Sequence, residues 1–338
     1  MAGWAQRPSD VDWSSAIAAL TGGGQVLLIA HVSPDADALG SALAVGLALR
    51  ARGASVEVSF GDDPFVLPRS LESLPGQELL VPASKVSAPD VVASFDASSL
   101  DRLGVLGPVA DAAPTFIAVD HHVSYTGFGR THLVDVSAPA TAVLALDLVD
   151  RLGVELTSEI AAALYAGLVT DTGSFRFSAT TPATHQVAAR LLATGIRHDL
   201  IARRIYDDEP FGVLRMMGGA LDRAVLEERS VGGLGMVWTV VTRADRENFA
   251  LPLDATERVI DVLRIANEAE VAVVLKEDDS GKWRVSTRSK GRVDVGAICL
   301  GLAGGGHRYA AGYTATGGAS SVLSELRVRL AEAPHSGE

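Results

Sequence analysis

Acidic and imidazole side chains follow several short apolar segments of the chain. The clearest example is Phe116–His122, where four apolar residues lead directly into Asp120, His121 and His122. Such a run is typical of a buried strand in a parallel sheet, whose carboxyl end is the usual place for ligand-binding groups. Adjacent residues point in different directions, so we expect the two histidines to have different roles. Alone, the pattern fits a polar turn with two solvated histidines equally well.

Similar groups stand at the ends of other predicted elements. Two of these elements are apolar strands, and a third is an alanine-rich helix predicted over residues 158–169. Asp37 alone would also fit an ordinary helix cap. With the first histidine after Asp120, the chain offers six candidate metal ligands at element ends: His31, Asp35, Asp37, Asp96, His121 and Asp171.

This ligand set indicates a specific chemistry. Mixed histidine and aspartate ligands suit Mn²⁺, Mg²⁺, Zn²⁺ or Fe²⁺, and the lack of thiolates argues against a structural zinc cluster. Six ligands exceed what one ion usually takes from a protein that keeps a position open, whereas two ions sharing one carboxylate would use them all. Two ions about 4 Å apart polarise water and bind the oxygens of an in-line displacement at phosphorus. The residues therefore predict hydrolysis of a phosphate ester.

Alternating strands and helices must position these ligands. The first half of the chain predicts strands over 25–30, 54–60, 90–95, 116–122 and 131–136, and helices over 11–20, 39–52, 141–152, 158–169, 182–194 and 198–206. We expect Ser158 to cap its helix. A connecting helix is predicted from the acidic turn at 207–210 to about residue 228. The second half predicts strands over 231–242, 271–276 and 283–287, and helices over 256–264 and 294–302.

These elements predict an α/β protein of two domains. The N-terminal domain, residues 1–195, has a parallel sheet. A helical linker covers 196–228, and a smaller mixed α/β domain covers 229–338. The second domain contains a cationic segment with three of the four lysines: Lys276, Lys282, Arg284, Arg288, Lys290 and Arg292. Gly304, Gly305, Gly306, His307 and Arg308 follow a predicted helix, and their glycines permit close approach of a ligand. A flexible surface loop is the alternative interpretation.

Composition excludes several classes of protein. The 338-residue chain is 48% hydrophobic, which is enough for two cores, and it has a formal net charge of −12. Such a charge argues against stable binding of long nucleic acids, whose affinity depends on phosphate neutralisation. No apolar run reaches the ~18 residues that span a bilayer. The single cysteine and a start without a signal-peptide pattern favour the cytoplasm.

The motifs, taken in order, resemble those of the DHH phosphoesterase superfamily. Asp120-His121-His122 matches the motif that names it, and the segment from His31 through Asp35 and Asp37 to Gly40-Ser41 is similar to its first motif. Asp96 and Asp171 resemble the second and fourth motifs. Gly304-Gly305-Gly306-His307 resembles the glycine-rich motif of the accompanying DHHA1 domain. The likeness covers nearly the whole chain, and the length and second domain look most like the bifunctional oligoribonuclease and 3′-phosphoadenosine-5′-phosphate phosphatase branch.

This resemblance implies a role for each matching residue. His31, Asp35 and Asp96 would hold one Mn²⁺, and Asp37, Asp96, His121 and Asp171 a second, with Mg²⁺ as the alternative metal. His122 would face the scissile phosphate and Asp120 would orient a histidine. Substrate contacts would come from a further set: Ser41, Arg288, Gly304, Gly305, Gly306, His307 and Arg308.

The resemblance also implies substrates and partners. The enzyme would cleave very short oligoribonucleotides and linear dinucleotides, such as pApA from cyclic-di-AMP turnover, to 5′-mononucleotides. It would convert 3′-phosphoadenosine 5′-phosphate to AMP and phosphate. A cytoplasmic homodimer without membrane contact is expected.

The sequence departs from the family pattern in two segments, and it leaves several alternative functions open. Ser33 and Ala36 replace the usual Asn and Gly of the first motif, and Ala140-Thr141-Ala142 stands where relatives often carry Ser-Ser-Thr, which could change substrate contacts. The alternatives are an inorganic pyrophosphatase or exopolyphosphatase, a RecJ-like single-strand exonuclease, and a nucleotide sensor without catalysis.

Overall fold

The computed structural model describes residues 8–334 and divides between Asp208 and Glu209. This division falls inside the segment 196–228 that the sequence assigns to a linker. The first unit contains a five-stranded sheet and the second a six-stranded sheet. The chain start in which no signal-peptide pattern was found includes residues 1–7, and these and the last four residues lie outside the described residues.

The sheet of the first unit is entirely parallel, as the apolar strand patterns predict. The strands are β1 (Gln25–Ala30), β2 (Ser55–Phe60), β3 (Val91–Phe95), β4 (Thr115–Asp120) and β5 (Thr131–Val134). Their order in the sheet is β2-β1-β3-β4-β5. All carboxyl ends therefore meet at one edge, which is the edge where the candidate ligands emerge.

Helices cover both faces of this sheet. They are α1 (Asp10–Thr21), α2 (Ala36–Ala51), α3 (Gly107–Ala112), α4 (Thr141–Arg151), α5 (Ser158–Asp171), α6 (Pro182–Leu192) and α7 (His198–Tyr206). Helices α1, α2, α4 and α5 share one core with the sheet, and α3 with a preceding 3₁₀ turn covers the other face. Helix α2 is buried along almost its whole length between the sheet and its neighbouring helices, which fixes the acids at its start.

The second unit is a mixed sheet with helices on both faces. The strands are β6 (Val225–Glu227), β7 (Met236–Val241), β8 (Val271–Glu277), β9 (Trp283–Ser289), β10 (Gly305–His307) and β11 (Ala310–Ala315). Their order in the sheet is β10-β11-β9-β8-β7-β6, and among these described strands only the β7–β8 pair is parallel. The helices are α8 (Phe211–Asp222), α9 (Ser230–Gly233), α10 (Arg243–Glu247), α11 (Arg258–Leu263), α12 (Val295–Leu300) and α13 (Ala319–Glu332).

Several predicted boundaries are wrong. Thr157, not Ser158, caps α5, because the Thr157 hydroxyl accepts the Ile160 N–H at 3.3 Å. The connecting helix ends at Asp222, and the following residues pair with β7 as a strand. The predicted strand from residue 231 begins only at Met236, since Val231 and Gly232 have left-handed backbone angles. Among residues 8–334, no helix combines the length and apolar character needed to cross a bilayer.

Candidate functional site

The six candidate ligands meet at the carboxyl edge of the first sheet. His31 follows β1, Asp96 follows β3, and His121 follows β4. Asp35 caps α2 by accepting the N–H groups of Asp37 and Ala38, and Asp37 lies in the first turn of that helix. Asp171 is the last residue of α5.

The first ligand group consists of His31, Asp35 and Asp96. Nε2 of His31 lies 3.5 Å from Oδ2 of Asp35 and 3.6 Å from Oδ2 of Asp96. These separations are long for hydrogen bonds but suit atoms that surround one ion, which lie about 3 Å apart when each is about 2.1 Å from it. Nδ1 of His31 lies 2.8 Å from the Val32 carbonyl oxygen, so a proton held there leaves the Nε2 lone pair towards the carboxylates.

The second group consists of Asp37, Asp96 and His121, with Asp171 beside it. Ligand atoms of the first three lie within 4.8 Å of one another. Nε2 of His121 is 3.4 Å from Oδ1 of Asp96 and 3.3 Å from Oδ2 of Asp171. Nδ1 of His121 lies 3.0 Å from the Ala138 carbonyl oxygen, which fixes the ring with Nε2 towards the acids.

Asp96 belongs to both groups and presents a different oxygen to each. Oδ2 faces His31 and Oδ1 faces His121. Its backbone has a φ of 60°, in the left-handed region that non-glycine residues rarely adopt. Ser33, Ser174 and Phe175 also have positive φ, so four of the seven such non-glycine residues in the described chain lie within four residues of a candidate ligand. Backbone strain of this kind is typical of functional sites.

The electrostatics of this edge favour bound positive charge. Burial and the charges of Asp96 and Asp171 raise the pKa of Asp37 well above its usual range. Burial raises the pKa of Asp171 to about 7. Burial and the Arg102 charge lower the pKa of His31, but the nearby carboxylates of Asp35 and Asp96 outweigh them and raise it to about 9. The protein groups thus take up protons to offset crowded carboxylates, and divalent cations would supply the same compensation. The donor chemistry fits such ions.

His122 and Asp120 form a separate pair beside these groups. Nδ1 of His122 is 2.7 Å from Oδ1 of Asp120, and Asp120 is completely buried. The hydrogen bond fixes the ring and directs Nε2 away from Asp120. Burial lowers the pKa of His122, but the charges of Asp96 and Asp120 more than offset this and raise it. The arrangement therefore suits a protonated histidine held in one orientation.

The sequence did not predict two contacts with the candidate ligands at this edge, although it named Thr141 in a segment that could change substrate contacts. Thr141 donates its hydroxyl to Oδ1 of Asp96 at 2.7 Å. Nη2 of Arg102 lies 3.0 Å from Nδ1 of His31. One feature of the sequence could have indicated the Thr141 contacts. Helix α4 begins after Ala140, whose side chain cannot cap the helix, so its first N–H groups need acceptors from elsewhere. Ser41 is fully buried within α2, and its contact with phosphate stays a prediction.

Three of the candidate substrate residues of the second unit, Arg288, Gly305 and His307, lie on one face of its sheet. The register pairs His307 with Ala310 and Ala310 with Arg288, so all three side chains point to the same side. His307 and Arg288 therefore stand about two strand spacings apart, roughly 10 Å, with only a methyl group between them. The next row contains Gly305, Gly312 and Ser286. This row carries almost no side-chain bulk.

The three glycines before His307 differ in what the fold requires of them. A Cβ on Gly304 would lie 2.2 Å from the Gly312 carbonyl oxygen, and one on Gly306 would lie 2.6 Å from that of Ala310. A Cβ on Gly305 would meet nothing within 4 Å. Packing therefore demands glycine at 304 and 306, whereas residue 305 opens onto free space.

The surrounding cations are not equivalent. Lys276 is buried, hydrogen-bonded to Ser286 at 2.7 Å and ion-paired with Glu257, so it is not part of an exposed basic surface. Arg308 points towards the Gly291 carbonyl oxygen, 3.4 Å from Nη2. Arg288 is half-buried on the face that it shares with His307, and its Nη1 donates to the Thr287 carbonyl oxygen at 3.1 Å.

Comparison with known proteins places both units in recognised families. Residues 25–168 match the DHH family N-terminal domain, and residues 244–332 match the DHHA1 domain. The chain is 36% identical over 295 residues, 87% of its length and 85% of the relative's, to the bifunctional oligoribonuclease and PAP phosphatase NrnA of Thermus thermophilus. It is 25% identical over 309 residues, 85% of its length and 88% of the relative's, to the protein of that name from Bacillus subtilis.

A solved structure shares this fold. An exopolyphosphatase-related protein from Bacteroides fragilis matches with a TM-score of 0.84 and 23% identity, covering 95% of this chain and 96% of that one. At this identity the likeness concerns the fold alone.

Proposed function

Because this chain belongs to the DHH–DHHA1 phosphoesterase family of bifunctional oligoribonucleases and PAP phosphatases, we propose that it hydrolyses very short RNA and 3′-phosphoadenosine 5′-phosphate. Short oligoribonucleotides and linear dinucleotides such as pApA would give 5′-mononucleotides. 3′-Phosphoadenosine 5′-phosphate would give AMP and phosphate. One observation carries the proposal: Asp96 turns a separate oxygen to each of two ligand groups. Two ions sharing a carboxylate are the arrangement suited to displacement at phosphorus.

The proposed cofactors are two divalent cations for each chain. His31, Asp35 and Asp96 would hold one, and Asp37, Asp96, His121 and Asp171 the other. Imidazole ligands favour Mn²⁺ over Mg²⁺, which prefers oxygen ligands and retained water. When bound, the ions would activate a water and neutralise phosphate oxygens.

The proposed catalytic contribution of the chain itself comes from His122. Held through Nδ1 by Asp120, its ring keeps one orientation, and its raised pKa favours the protonated form. A protonated Nε2 donates a hydrogen bond to a phosphate oxygen or gives its proton to the leaving oxygen. Asp120 acts as a positioning residue, because its carboxylate fixes the ring and stabilises the imidazolium.

The proposed role of the second unit is to bind the nucleotide end away from the bond that is cleaved. Arg288 and His307 supply charge and hydrogen-bond donors on one face, and Gly305 leaves room for a phosphate or sugar beside them. Gly304, Gly306 and Arg308 complete the predicted set, with the two glycines keeping the strands close. The net charge of −12 favours substrates of a few nucleotides, since a long strand needs an extended basic track.

The finer properties belong to the same proposal. They are a cytoplasmic homodimer, a role for linear dinucleotides from cyclic-di-AMP turnover, and the absence of stable complexes with long nucleic acids or membranes. Size measurement in solution tests the homodimer independently of turnover.

The test is Mn²⁺-dependent turnover followed by chromatography on four substrates: pApA, 3′-phosphoadenosine 5′-phosphate, a long single-stranded RNA and pyrophosphate. We expect AMP from the first two, slow cleavage of long RNA and no cleavage of pyrophosphate. Hydrolysis of pyrophosphate alone would replace the proposal with a pyrophosphatase. Preferential cleavage of long RNA would indicate a RecJ-like exonuclease. Binding of Mn²⁺ without turnover of any substrate would favour a nucleotide sensor.

A further inference from the structure

Helix α4 begins against two of the candidate metal ligands. Its N-cap residue, Ala140, provides no side-chain cap. Instead, the N–H groups of Thr141 and Ala142 donate to the two carboxylate oxygens of Asp37, at 2.7 and 2.8 Å. Asp37 comes from α2, more than a hundred residues earlier in the chain. A candidate ligand thus provides the missing cap, and each of its oxygens keeps a second lone pair for an ion.

The same residue also contacts the shared carboxylate. The Thr141 hydroxyl donates to Oδ1 of Asp96 at 2.7 Å, which is a short, charge-assisted hydrogen bond. Thr141 is completely buried and Asp96 nearly so, so water does not compete for this contact. Oδ1 is the Asp96 oxygen that faces His121.

The position of this hydrogen bond controls the orientation of Asp96. A carboxylate rotates about its Cβ–Cγ bond within a broad range. Asp96 serves two groups only when one oxygen faces His31 and the other faces His121, as Oδ2 and Oδ1 do here. A donor anchored to the rigid start of α4 and directed at Oδ1 selects that rotation before any cation binds. The other lone pair of Oδ1 stays available.

We propose that Thr141 is a positioning residue that fixes the Asp96 carboxylate across both cation sites and so determines binding at the His121 side. This inference rests on the proposed two-cation function and deepens it. It also gives a physical reason for a threonine at 141, in the segment where the sequence departs from the family pattern. The departure at Ala140 leaves this hydroxyl contact in place.

The test uses three variants and Mn²⁺ titration by calorimetry. Thr141→Val keeps the shape and the backbone donation to Asp37 but removes the hydroxyl. Thr141→Ser keeps the hydroxyl. Thr239→Val is the matched control, because Thr239 is equally buried in the second unit and its hydroxyl donates to the Ala220 carbonyl oxygen at 2.5 Å.

We expect Thr141→Val to lower the affinity for the Mn²⁺ ion on the His121 side about 10- to 100-fold, because loss of a group that orients a ligand typically has an effect of this size. Electron paramagnetic resonance at two equivalents of Mn²⁺ should then show an isolated ion where the unmodified protein shows an exchange-coupled pair. Thr141→Ser should restore both results. Thr239→Val should lower the melting temperature and still bind two coupled ions.

Two different failures are distinguishable in this experiment. If the unmodified chain does not bind two Mn²⁺ ions, the two-cation function itself is wrong. If it binds two and Thr141→Val binds both with unchanged affinity and coupling, only the role of Thr141 is wrong. A lowered melting temperature with unchanged Mn²⁺ binding would assign Thr141 to fold stability alone.

Discussion

The carboxyl edge of the first sheet and the face of the second sheet that carries Arg288 and His307 are built in opposite ways. At the first, buried charged side chains are held by other side chains and by backbone groups, as His121 is held by Ala138 and His122 by Asp120. At the second, the important feature is missing bulk: Gly305 opens onto free space, and Ala310 separates Arg288 from His307.

This difference reflects the tasks that we propose for the two regions. Chemistry at phosphorus requires groups held within a fraction of an ångström, so the first region uses burial and strain to fix them. Binding one end of a nucleotide requires room and a few donors, so the second region uses small residues on a rigid sheet. Removing a ligand or its support should therefore damage catalysis in the first region. In the second region, loss of the Arg288 donor or added bulk at Gly305 should weaken binding.

The largest effect is expected for Asp96→Asn. Asparagine keeps the shape and tolerates the φ of 60°, so the fold should persist while the shared ligand is lost. Turnover should fall about a thousandfold or more, because several kcal/mol of charge stabilisation disappears. Steady-state kinetics beside a circular dichroism melt separates catalysis from folding. Retention of substantial turnover by a folded variant would exclude Asp96 as the shared ligand.

Asp120→Asn should affect the orientation of the His122 ring rather than the binding of substrate. We expect kcat to fall about 10- to 100-fold with little change in KM, since the carboxylate that fixes His122 is replaced by a neutral amide. Because the Asp120 charge raises the pKa of His122, its removal lowers that pKa. The loss of activity with rising pH should therefore begin at a lower pH, which a pH profile of kcat measures. An unchanged profile would contradict protonation of His122 as the active form.

Arg288→Ala should weaken substrate binding in the second region. Loss of a hydrogen bond from a charged group costs about 1.5–3 kcal/mol, which corresponds to a rise in KM of about 10- to 100-fold. We expect kcat at saturation to change little. Arg190→Ala is the control: this arginine forms an exposed pair with Asp150 in the first unit, and its removal should leave both parameters unchanged. Equal KM values for the two variants would remove Arg288 from the binding face.

Alanine substitutions at Gly305 and Gly304 should have the smallest effect on catalysis, and the two together test the different roles of these glycines. Gly305→Ala should keep the melting temperature and raise KM severalfold, because its Cβ enters only the space assigned to the ligand. Gly304→Ala should lose about 1–3 kcal/mol of stability through collision with Gly312. Thermal melts and KM values on both variants measure the contrast. Identical behaviour of the two would mean that residue 305 does not border the substrate.

Local sequence patterns predicted that the candidate ligands lie at element ends, and the structure places them after β1, β3 and β4, at the start of α2 and at the end of α5. The parallel arrangement then brings Asp96 beside His31 and His121 without further information. The contacts of Thr141 and Arg102 were not predictable in this way, since they depend on how α4 and a 3₁₀ turn pack against residues distant in the chain.

The second region was harder to predict for a related reason. Arg288 and His307 share a face only through the register of β9, β11 and β10, and register is a property of strand pairs. Pairing with β7 also converts Val225–Glu227 from the predicted helix end into a strand. The separate roles of the three glycines became apparent only from the atoms around each one.

The number of bound ions tests most directly whether Asp96 joins two cation sites. Equilibrium dialysis against Mn²⁺ followed by elemental analysis should give two ions for each chain of the unmodified protein. Asp96→Asn should retain one ion or none under the same conditions. A single ion in the unmodified protein, or two in the variant, would contradict the account.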